Sequence, residues 1–432
     1  MNSVKVGLIG FGTIGAGVAN ILLNKREQIR QTTNADIELV KICDRDITSD
    51  RGVAVPREIM TSDLADIMDN PEISVAIELI GGIEPARSFV LRALESGKNV
   101  VTANKALIAN CGKELFDRAR ELGRSIGFEA SVCGGIPVLA SIQSSLQANR
   151  IESIEAIVNG TCNFILSEME SKQSAYSDAV KEAQRLGFAE ANPTLDVDGS
   201  DSTQKLAILA QLAFGVAVDW KTVSRVGVDV VDAIDVRFAK ELGRRIRLLA
   251  VAERTDAGLA LSVTPTLVAE DSALAKVSNA FNAIQIVGDF LGPVFYQGWG
   301  AGRNPTASAV CSDVIDAALG RAKITFDALH LWSGQRKGIP VQSATDIQSR
   351  AYLRFVVEDR PGVVAMIADA LGKRNISIES MLQHVEENGD QRVASLIILT
   401  YAAPAAALDS AVQEIEKASF IRGKSVRLAV RD

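Results

Sequence analysis

The sequence is short of residues on which several common classes of protein depend. Only five of its 432 residues are cysteine and only two are histidine. The single, scattered cysteines suit reduced thiols in a cytosol better than a disulfide framework or a zinc site. A histidine-based proton shuttle would have to be recruited from the last third of the chain, where His330 and His384 lie. Another general acid or base must therefore be sought.

Long apolar runs and blocks of basic residues are also missing. The first apolar run breaks at Gly10, too early for the apolar core of a signal peptide, and no stretch reaches the roughly 18 apolar residues of a membrane span. The formal net charge is −7, without a basic block that would bind phosphate backbones or anionic lipid. We therefore expect a soluble cytoplasmic protein that binds neither nucleic acid nor membrane.

The composition that remains is that of an ordered enzyme. Hydrophobic residues make up 47% of the chain and charged residues 23%, unlike the low hydrophobicity and high charge of disordered proteins. Domains usually contain roughly 100 to 200 residues. The length therefore indicates two or three domains.

The N-terminal part alternates strands and helices. Short apolar runs rich in β-branched residues predict strands at 4–9, 37–43, 75–80 and 99–102, with helical patterns between them. Such alternation indicates βαβ units and a parallel sheet. We predict an α/β fold that begins with a Rossmann-type, doubly wound parallel sheet in residues 1–135.

Two further domains follow. Longer helical patterns mixed with strand-like runs predict an α+β domain for catalysis and dimerisation at 136–342. A polar stretch at 343–350 predicts a linker. Residues 351–432 then read as strand, helix, strand, strand, helix, strand, which predicts a separate βαββαβ domain.

A glycine fingerprint follows the first predicted strand. Gly10-Phe11-Gly12-Thr13-Ile14-Gly15 has the pattern G-x-G-x-x-G between a strand and a helix. In this pattern the first glycine makes a tight turn, the second lets the backbone approach a pyrophosphate and the third allows close helix packing. The helix N-terminus offers N–H groups to the anion. We predict that these six residues bind a dinucleotide.

The residues after the second predicted strand leave the choice of dinucleotide open. Asp44 lies where a ribose hydroxyl would be bound, and an acid there favours NAD. Arg45 follows directly, and an arginine accommodates the 2′-phosphate of NADP. The cofactor is therefore NADP or NAD.

Two lysines have a context that suits catalysis. Lys105 follows the fourth predicted strand, and ligands of doubly wound sheets bind at the carboxyl ends of strands. Lys205 follows a dense group of carboxylates and lies four residues after Asp201, which would put both on one face of a predicted helix at 202–212. An exposed ion pair is the plain alternative. The remaining carboxylates of this group are Glu190, Asp196 and Asp198.

Six segments together resemble the homoserine dehydrogenase family. They are GFGTIGAGV, VTANKALIA, EASVCGGIPV, NGTCNFIL, GFAEANPTLDVDGSDSTQKLAIL and GAGRNPTASAVCSDVID, in this order from Val4 to about Ile315. The segment YLRFVVEDRPGVVAMIADAL is similar to the opening of an ACT domain. The resemblance implies NAD(P)-dependent interconversion of L-homoserine and L-aspartate 4-semialdehyde, in the biosynthesis of threonine, methionine and isoleucine.

The resemblance also implies roles for individual residues. Lys205 would be the general acid or base, Asp201 would orient it, and Lys105 would act beside the nicotinamide, where it would touch both cofactor and substrate. The substrate's ammonium and hydroxyl ends would be bound by Glu190 and Asp196, with Asp201 contributing. The cofactor would also meet the backbone of Gly187 and Gly302. A monovalent cation, Na or K, would be bound by Glu129, Val132, Gly134 and Ile136, as one carboxylate plus backbone carbonyls; such oxygen ligands suit a hard cation. A tight turn with a buried glutamate is the alternative.

The C-terminal domain is expected to sense an amino acid. ACT domains pair across subunits and bind amino acids, so the resemblance implies a homodimer or homotetramer and L-threonine as an effector. The turn and helix start near Gly362 and Val363, together with Asn375, would form that site. A chain truncated after Gln348 would then be active but insensitive to threonine. A domain used only for dimerisation is the alternative.

The residues alone are compatible with two other functions. One is a dehydrogenase of another small substrate, although no cysteine has the context of an aldehyde-oxidising nucleophile. The other is a non-catalytic sensor of nucleotide and amino acid. The presence of Lys105, Asp201 and Lys205 argues against a sensor, which has no need of proton carriers.

Overall fold

The computed structural model describes residues 3–333, 338–388 and 391–432. The chain forms two compact units, each assembled from separate stretches. Unit 1 contains Met1–Ser153, Gln204–Thr222 and Phe281–Ile339. Unit 2 contains Ile154–Thr203, Val223–Ala280 and Pro340–Asp432.

The regular elements follow one another along the chain. The first part contains β1 Ser3–Ile9, α1 Thr13–Asn24, α2 Arg26–Thr33, β2 Asp36–Cys43, β3 Met60–Thr61, α3 Ala65–Met68, β4 Ile73–Glu78, α4 Ala86–Glu95, β5 Asn99–Thr102, α5 Lys105–Glu121, β6 Ile126–Gly127 and α6 Val138–Ala140. The middle contains β7 Ile151–Ile157, α7 Gly160–Lys172, α8 Tyr176–Arg185, α9 Thr194–Val197, α10 Ser200–Phe214, β8 Ser224–Arg225, α11 Ala233–Glu241, β9 Arg244–Thr255 and β10 Gly258–Ala269. The last part contains β11 Phe281–Gly288, β12 Gly292–Trp299, α12 Arg303–Ala318, α13 Arg321–Leu329, β13 Gln348–Glu358, α14 Val363–Gly372, β14 Ile378–Asn388, β15 Gln391–Thr400, β16 Ala403–Pro404, α15 Ala405–Glu416 and β17 Val426–Arg431.

Unit 1 is built on a parallel sheet in the order β3-β2-β1-β4-β5-β6. This order reverses direction next to β1, as in doubly wound dinucleotide-binding sheets. Its strands are apolar because both faces are covered, as parallel sheets require. Val6, Leu8 and Ile77 are fully buried, and α12 contributes Val310 and Val314 to the same core. The predicted parallel sheet is confirmed, and the two short strands β3 and β6 add to the four that the sequence predicted.

Unit 2 contains a mixed sheet in the order β7-β9-β10-β17-β13-β15-β14. The long strands β9 and β10 pair antiparallel over their full lengths, from Gly258 opposite Thr255 to Ala269 opposite Arg244. On its other edge β10 pairs parallel with β17, from Thr266 to Val268. The last strand of the chain is therefore bonded to a strand of the preceding domain.

The C-terminal elements β13, α14, β14, β15, α15 and β17 have the predicted βαββαβ order. Helices α14 and α15 pack on one face of the sheet, where Leu353, Phe355 and Leu396 are fully buried. The prediction of a linker across 343–350 is wrong from Gln348 onward, because β13 begins there and Gln348 pairs with Pro404. The side chains at the start of β13 are polar, and the strands that pair with β13 lie far away in the sequence. The local sequence therefore does not show that these residues belong to a sheet.

Among residues 3–333, 338–388 and 391–432, no helix is long and apolar enough to cross a membrane.

Candidate active site

The glycine fingerprint forms the turn between β1 and α1. Gly10 has a φ of +99°, and a Cβ there would lie 2.8 Å from the Leu79 carbonyl. A Cβ on Gly15 would lie 2.0 Å from the Gly10 oxygen, so the helix can start this close to the turn only with glycine. No described atom lies within 4 Å of the position of a Cβ on Gly12. Backbone N–H groups at the start of α1 therefore face open space that an anionic group can enter.

Asp44 lies directly after β2 and next to this turn. Its Oδ2 accepts a hydrogen bond from the Phe11 N–H at 2.5 Å, and its Oδ1 accepts one from the Asp46 N–H at 2.9 Å. The carboxylate is half-buried, whereas Arg45 is exposed. Because each carboxylate oxygen can accept a second bond, Asp44 can hold the glycine turn and still bind hydroxyl groups.

Gly302 lies in the same part of unit 1 as the glycine turn, although it is far from that turn in the sequence. It precedes α12 and has a φ of +120°. A Cβ on Gly17, in α1, would lie 2.9 Å from both Ala307 and the Arg303 carbonyl, so α1 and α12 are in close contact. The Arg303 guanidinium also donates to the Arg51 carbonyl at 3.0 Å, in the loop that follows Asp44.

A buried polar network places Lys105 at the start of α5. The Glu78 carboxylate, 1% exposed, accepts from the Thr102 hydroxyl at 2.7 Å and from the Ile80 N–H at 2.8 Å. The Asn104 side chain caps α5 by accepting from the Leu107 N–H and donates to the Gly82 carbonyl at 2.6 Å. Lys105 therefore follows the carboxyl ends of β4 and β5, as predicted. The network itself was not predicted, although Glu78 at the end of an apolar strand was its visible sign.

Asn159 holds two of the predicted substrate carboxylates in unit 2. Its Nδ2 donates to Asp196 Oδ1 and to Asp201 Oδ2, each at 2.8 Å. Asn159 is 5% exposed and Asp201 is 7% exposed. Helix α10 begins at Ser200, two residues earlier than predicted, because Asp198 accepts from the Ser200 N–H and hydroxyl. Asp198 therefore holds the turn between α9 and α10.

The other sequence-predicted residues are distributed between the units. Gly187, with a φ of +77°, and Glu190 are exposed in the segment between α8 and α9 of unit 2. Lys205 belongs to unit 1 and lies on α10, one turn after Asp201. Thus Gly187, Glu190, Asp196 and Asp201 belong to one unit, and the glycine turn, Asp44, Lys105, Lys205 and Gly302 to the other.

The segment predicted to bind a cation is closely packed within unit 1. The Glu129 carboxylate accepts from the Leu139 N–H at 3.1 Å and the Ala140 N–H at 2.6 Å. Burial raises the pKa of Glu129 to about 7. Across the described ranges, no three His, Cys, Asp or Glu side chains are arranged to hold a metal ion. These bonds fix the Glu129 side chain within the turn, and the predicted cation site, made of the Glu129 carboxylate with the backbone carbonyls of Val132, Gly134 and Ile136, stays a prediction.

Asp313, on α12, is a functional candidate that sequence reasoning missed. Its Oδ2 accepts from the Glu129 N–H at 2.9 Å. Burial raises the pKa of Asp313 well above its usual value, and the nearby Glu129 carboxylate raises it further. Helix α12 also contains Arg303, Ser312 and Asp316, so nothing in the sequence set Asp313 apart.

The predicted effector residues lie at the two ends of α14. Gly362 precedes the helix with a φ of +90°, Val363 is its first residue and is buried, and Asn375 follows it with a φ of +56°. Gly362 and Asn375 are exposed.

Three family models match the chain in succession. They are the NAD-binding domain of homoserine dehydrogenase over residues 10–129, homoserine dehydrogenase over 137–315 and the ACT domain over 351–420. A homoserine dehydrogenase of Pseudomonas aeruginosa is 41% identical over 435 residues, which cover 100% of this chain and 99% of that protein. The chain belongs to the homoserine dehydrogenase family.

Solved homoserine dehydrogenases agree with this assignment. The crystal structure of a homoserine dehydrogenase from Thiobacillus denitrificans matches with a TM-score of 0.92 and 39% identity, over 100% of this chain and 99% of that chain. A hyperthermophilic archaeal homoserine dehydrogenase in complex with NADPH matches with a TM-score of 0.61 and 30% identity, over 74% of this chain and 98% of its own. The predictions of family, α/β fold class and NAD(P)-dependent oxidoreductase class are confirmed.

Proposed function

We propose that this homoserine dehydrogenase uses Lys205 as the group that gives or takes the proton of the substrate hydroxyl. The reaction is the NAD(P)-dependent interconversion of L-homoserine and L-aspartate 4-semialdehyde, in the biosynthesis of threonine, methionine and isoleucine. The observation that carries the proposal is the pair Asp196 and Asp201, held by Asn159 at the start of the helix that bears Lys205. When bound, the nicotinamide supplies the hydride chemistry, and the protein orients and tunes it.

The other polar residues have complementary roles. Asp201 orients the Lys205 ammonium from one turn earlier on α10, a spacing that favours such pairs. Glu190 and Asp196 bind the ammonium and hydroxyl ends of the substrate, since carboxylates form strong hydrogen bonds with charged donors. Lys105, placed by the network of Glu78 and Asn104, supplies a positive charge beside substrate and nicotinamide.

The cofactor site consists of the glycine turn, Asp44 and Arg45, together with the backbones of Gly187 and Gly302. Asp44 suits ribose hydroxyls, and the exposed Arg45 suits a 2′-phosphate, so NAD and NADP both have a partner here. The archaeal relative bound to NADPH supports use of NADP.

We propose a monovalent cation at the segment from Glu129 to Ile136. The Glu129 carboxylate and the backbone carbonyl oxygens of Val132, Gly134 and Ile136 would hold it, because oxygen ligands suit hard cations. The Glu129 carboxylate would fix the segment through its bonds to the Leu139 and Ala140 N–H groups.

The assembly and regulation are proposed from the family and the domain order. We place the Rossmann-type domain at 1–135, the catalytic and dimerisation domain at 136–342 and the ACT domain at 351–432, in a cytoplasmic homodimer or homotetramer. L-Threonine would bind near Gly362, Val363 and Asn375 and lower activity. A coupling free energy of about 1.4 kcal/mol would change affinity tenfold. Size-exclusion chromatography and activity with millimolar threonine, methionine or isoleucine test these two points.

An absorbance assay at the NAD(P)H band with L-homoserine tests the catalytic proposal. Lys205→Ala should lower kcat by about 10² to 10⁴, typical of a lost acid or base, with cofactor affinity unchanged. Lys113→Ala, which removes an exposed lysine paired with Asp117 on α5, is the matched control and should leave kcat unchanged. Near-normal turnover of the Lys205 variant would remove this residue from the mechanism. Turnover of another small alcohol only, or of none, would favour the other dehydrogenase or the sensor.

A further inference from the structure

Asn159 lies at the point where three segments of unit 2 meet. It precedes α7 as its N-cap, and its Oδ1 accepts from the Cys162 N–H at 2.8 Å. Its Nδ2 donates to Asp196, in the short helix α9, and to Asp201, in the first turn of α10. One side chain thus joins a helix start to two carboxylates that are 37 and 42 residues away.

The hydrogen-bonding capacity of the amide is matched to these partners. An asparagine side chain has two N–H donors and one carbonyl acceptor. Both donors face carboxylates, and the acceptor faces a backbone N–H, so the reverse orientation of the amide would place oxygen against oxygen and N–H against N–H. The two carboxylates and the Cys162 N–H therefore fix the orientation of the Asn159 amide. An aspartate of the same shape would have no donor for Asp196 or Asp201 when ionised.

The two carboxylate oxygens that Asn159 binds are close together. Each lies 2.8 Å from the same nitrogen, so they are separated by no more than twice that distance. Two like charges at such a distance, one on the buried Asp201 and one on the half-buried Asp196, repel each other. A neutral donor between them reduces this repulsion and adds no charge of its own.

The first turn of α7 adds further ties to the same region. The Thr161 hydroxyl donates to the Phe188 carbonyl at 2.6 Å, and the Cys162 thiol lies 3.2 Å from the Asp196 carbonyl. The nearby Asp198 is bonded to Ser200, Glu190 is exposed, and Lys205 lies one turn after Asp201. The turn therefore anchors the segments that carry Gly187, Glu190, Asp196 and Asp201.

We propose that Asn159 is a positioning residue that keeps Asp196 and Asp201 together for the ammonium and hydroxyl groups of the substrate. This inference rests on the roles given to Asp196 and Asp201 under the proposed function. Asn159 itself acts through these carboxylates.

Two substitutions separate the bridge from the helix cap. Serine and aspartate are both good N-caps, so N159S and N159D keep the cap of α7 while removing both amide N–H donors. The serine hydroxyl has only one O–H donor on a shorter side chain, so it cannot replace both bonds. N163S is the matched control: Asn163 lies one turn later on α7, and its amide donates to the carbonyls of Val277 and Asn279. It removes a buried amide without touching the carboxylates.

For N159S we expect the KM for homoserine to rise roughly ten- to a hundredfold, as for loss of hydrogen bonds to charged groups, with the Kd for NADPH unchanged. The acid limb of its kcat/KM profile should move to higher pH, because the carboxylates lose their donors and bind a proton more readily. N159D should lose more activity at about pH 8 than at about pH 6, because a protonated aspartate can donate one hydrogen bond again. N163S should lower Tm and move neither the KM nor the acid limb.

A readout without substrate keeps this inference distinct from the proposed function. The Tm deficit of N159D relative to the unmodified chain should widen from about pH 4 to about pH 8, as its three carboxylates ionise. If the unmodified chain does not oxidise homoserine, the proposed function fails, and the Tm comparison still decides whether Asn159 bridges the carboxylates. Normal homoserine KM and acid limbs in both variants, or a Tm deficit independent of pH, would overturn the inference.

Discussion

Replacing Arg354 should destabilise the protein strongly, because this arginine is the partner of a completely buried carboxylate. Arg354, on β13, has a side chain 5% exposed, and Asp235, on α11, is 0% exposed. The guanidinium donates to Asp235 at 2.6 and 3.1 Å and to Asp232 at 2.7 Å. The Tyr352 hydroxyl also donates to Asp235, and burial raises the pKa of Tyr352 far above its usual value, so this donor stays protonated.

The magnitude follows from the burial. Removing one partner of a buried ion pair costs about 3 to 5 kcal/mol, because the remaining charge is left in a place that excludes water. The Tyr352 hydroxyl and the Asp232 N–H remain as donors to Asp235. We therefore expect about 3 kcal/mol for Arg354→Met. Unit 2 has about 200 residues, and in a domain of that size this cost corresponds to a fall in Tm of roughly 6 to 12 °C.

Differential scanning calorimetry and circular dichroism melts measure this change. Arg374→Met is the control: it removes a more exposed pair with Glu414 in the same C-terminal domain and should cost less than about 1 kcal/mol. In a double variant, Arg354→Met with Asp235→Leu, only the exposed Asp232 loses its charge partner, and much of the Tm should return. A Tm of Arg354→Met within about 2 °C of the unmodified chain would refute the reasoning, as would a control that falls equally far.

Three further outcomes are expected. A chain truncated after Gln348 should be poorly soluble or inactive, because it loses β17 from the edge of β10 and the partners of Asp235. Soluble yield and turnover measure this effect. A stable, active product would instead support the expectation from the sequence. In the native protein a thiol reagent should modify only Cys111 quickly, because the other four cysteines are buried. Burial raises the pKa of Cys311 to about 12. Rapid reaction of Cys311 would therefore contradict the observed core packing. Asp44→Asn should weaken NAD more than NADP, since NADP keeps Arg45; equal changes in the two Kd values would exclude Asp44 from the ribose site.

Local patterns explain why much of the architecture could be predicted. β5 has the predicted bounds, 99–102, because an apolar run and its flanking residues define such an element without tertiary information. The glycine turn was equally clear, since G-x-G-x-x-G between a strand and a helix is a local pattern, and Gly15 meets the Gly10 oxygen five residues away. The order of strands in the first sheet then follows from βαβ connections.

The sequence by itself thus determined the glycine turn, the parallel sheet, the βαββαβ tail and the helix that carries Asp201 and Lys205. Only the tertiary structure decided that Asn159 bridges Asp196 and Asp201, that Glu129 faces backbone N–H groups, and that Arg354 pairs with Asp235 across 119 residues of sequence. The physical reason is that a buried polar group requires a partner but does not specify where along the chain it lies. Hydrogen bonds between distant residues have no periodicity, so packing of the apolar faces must bring the partners together first.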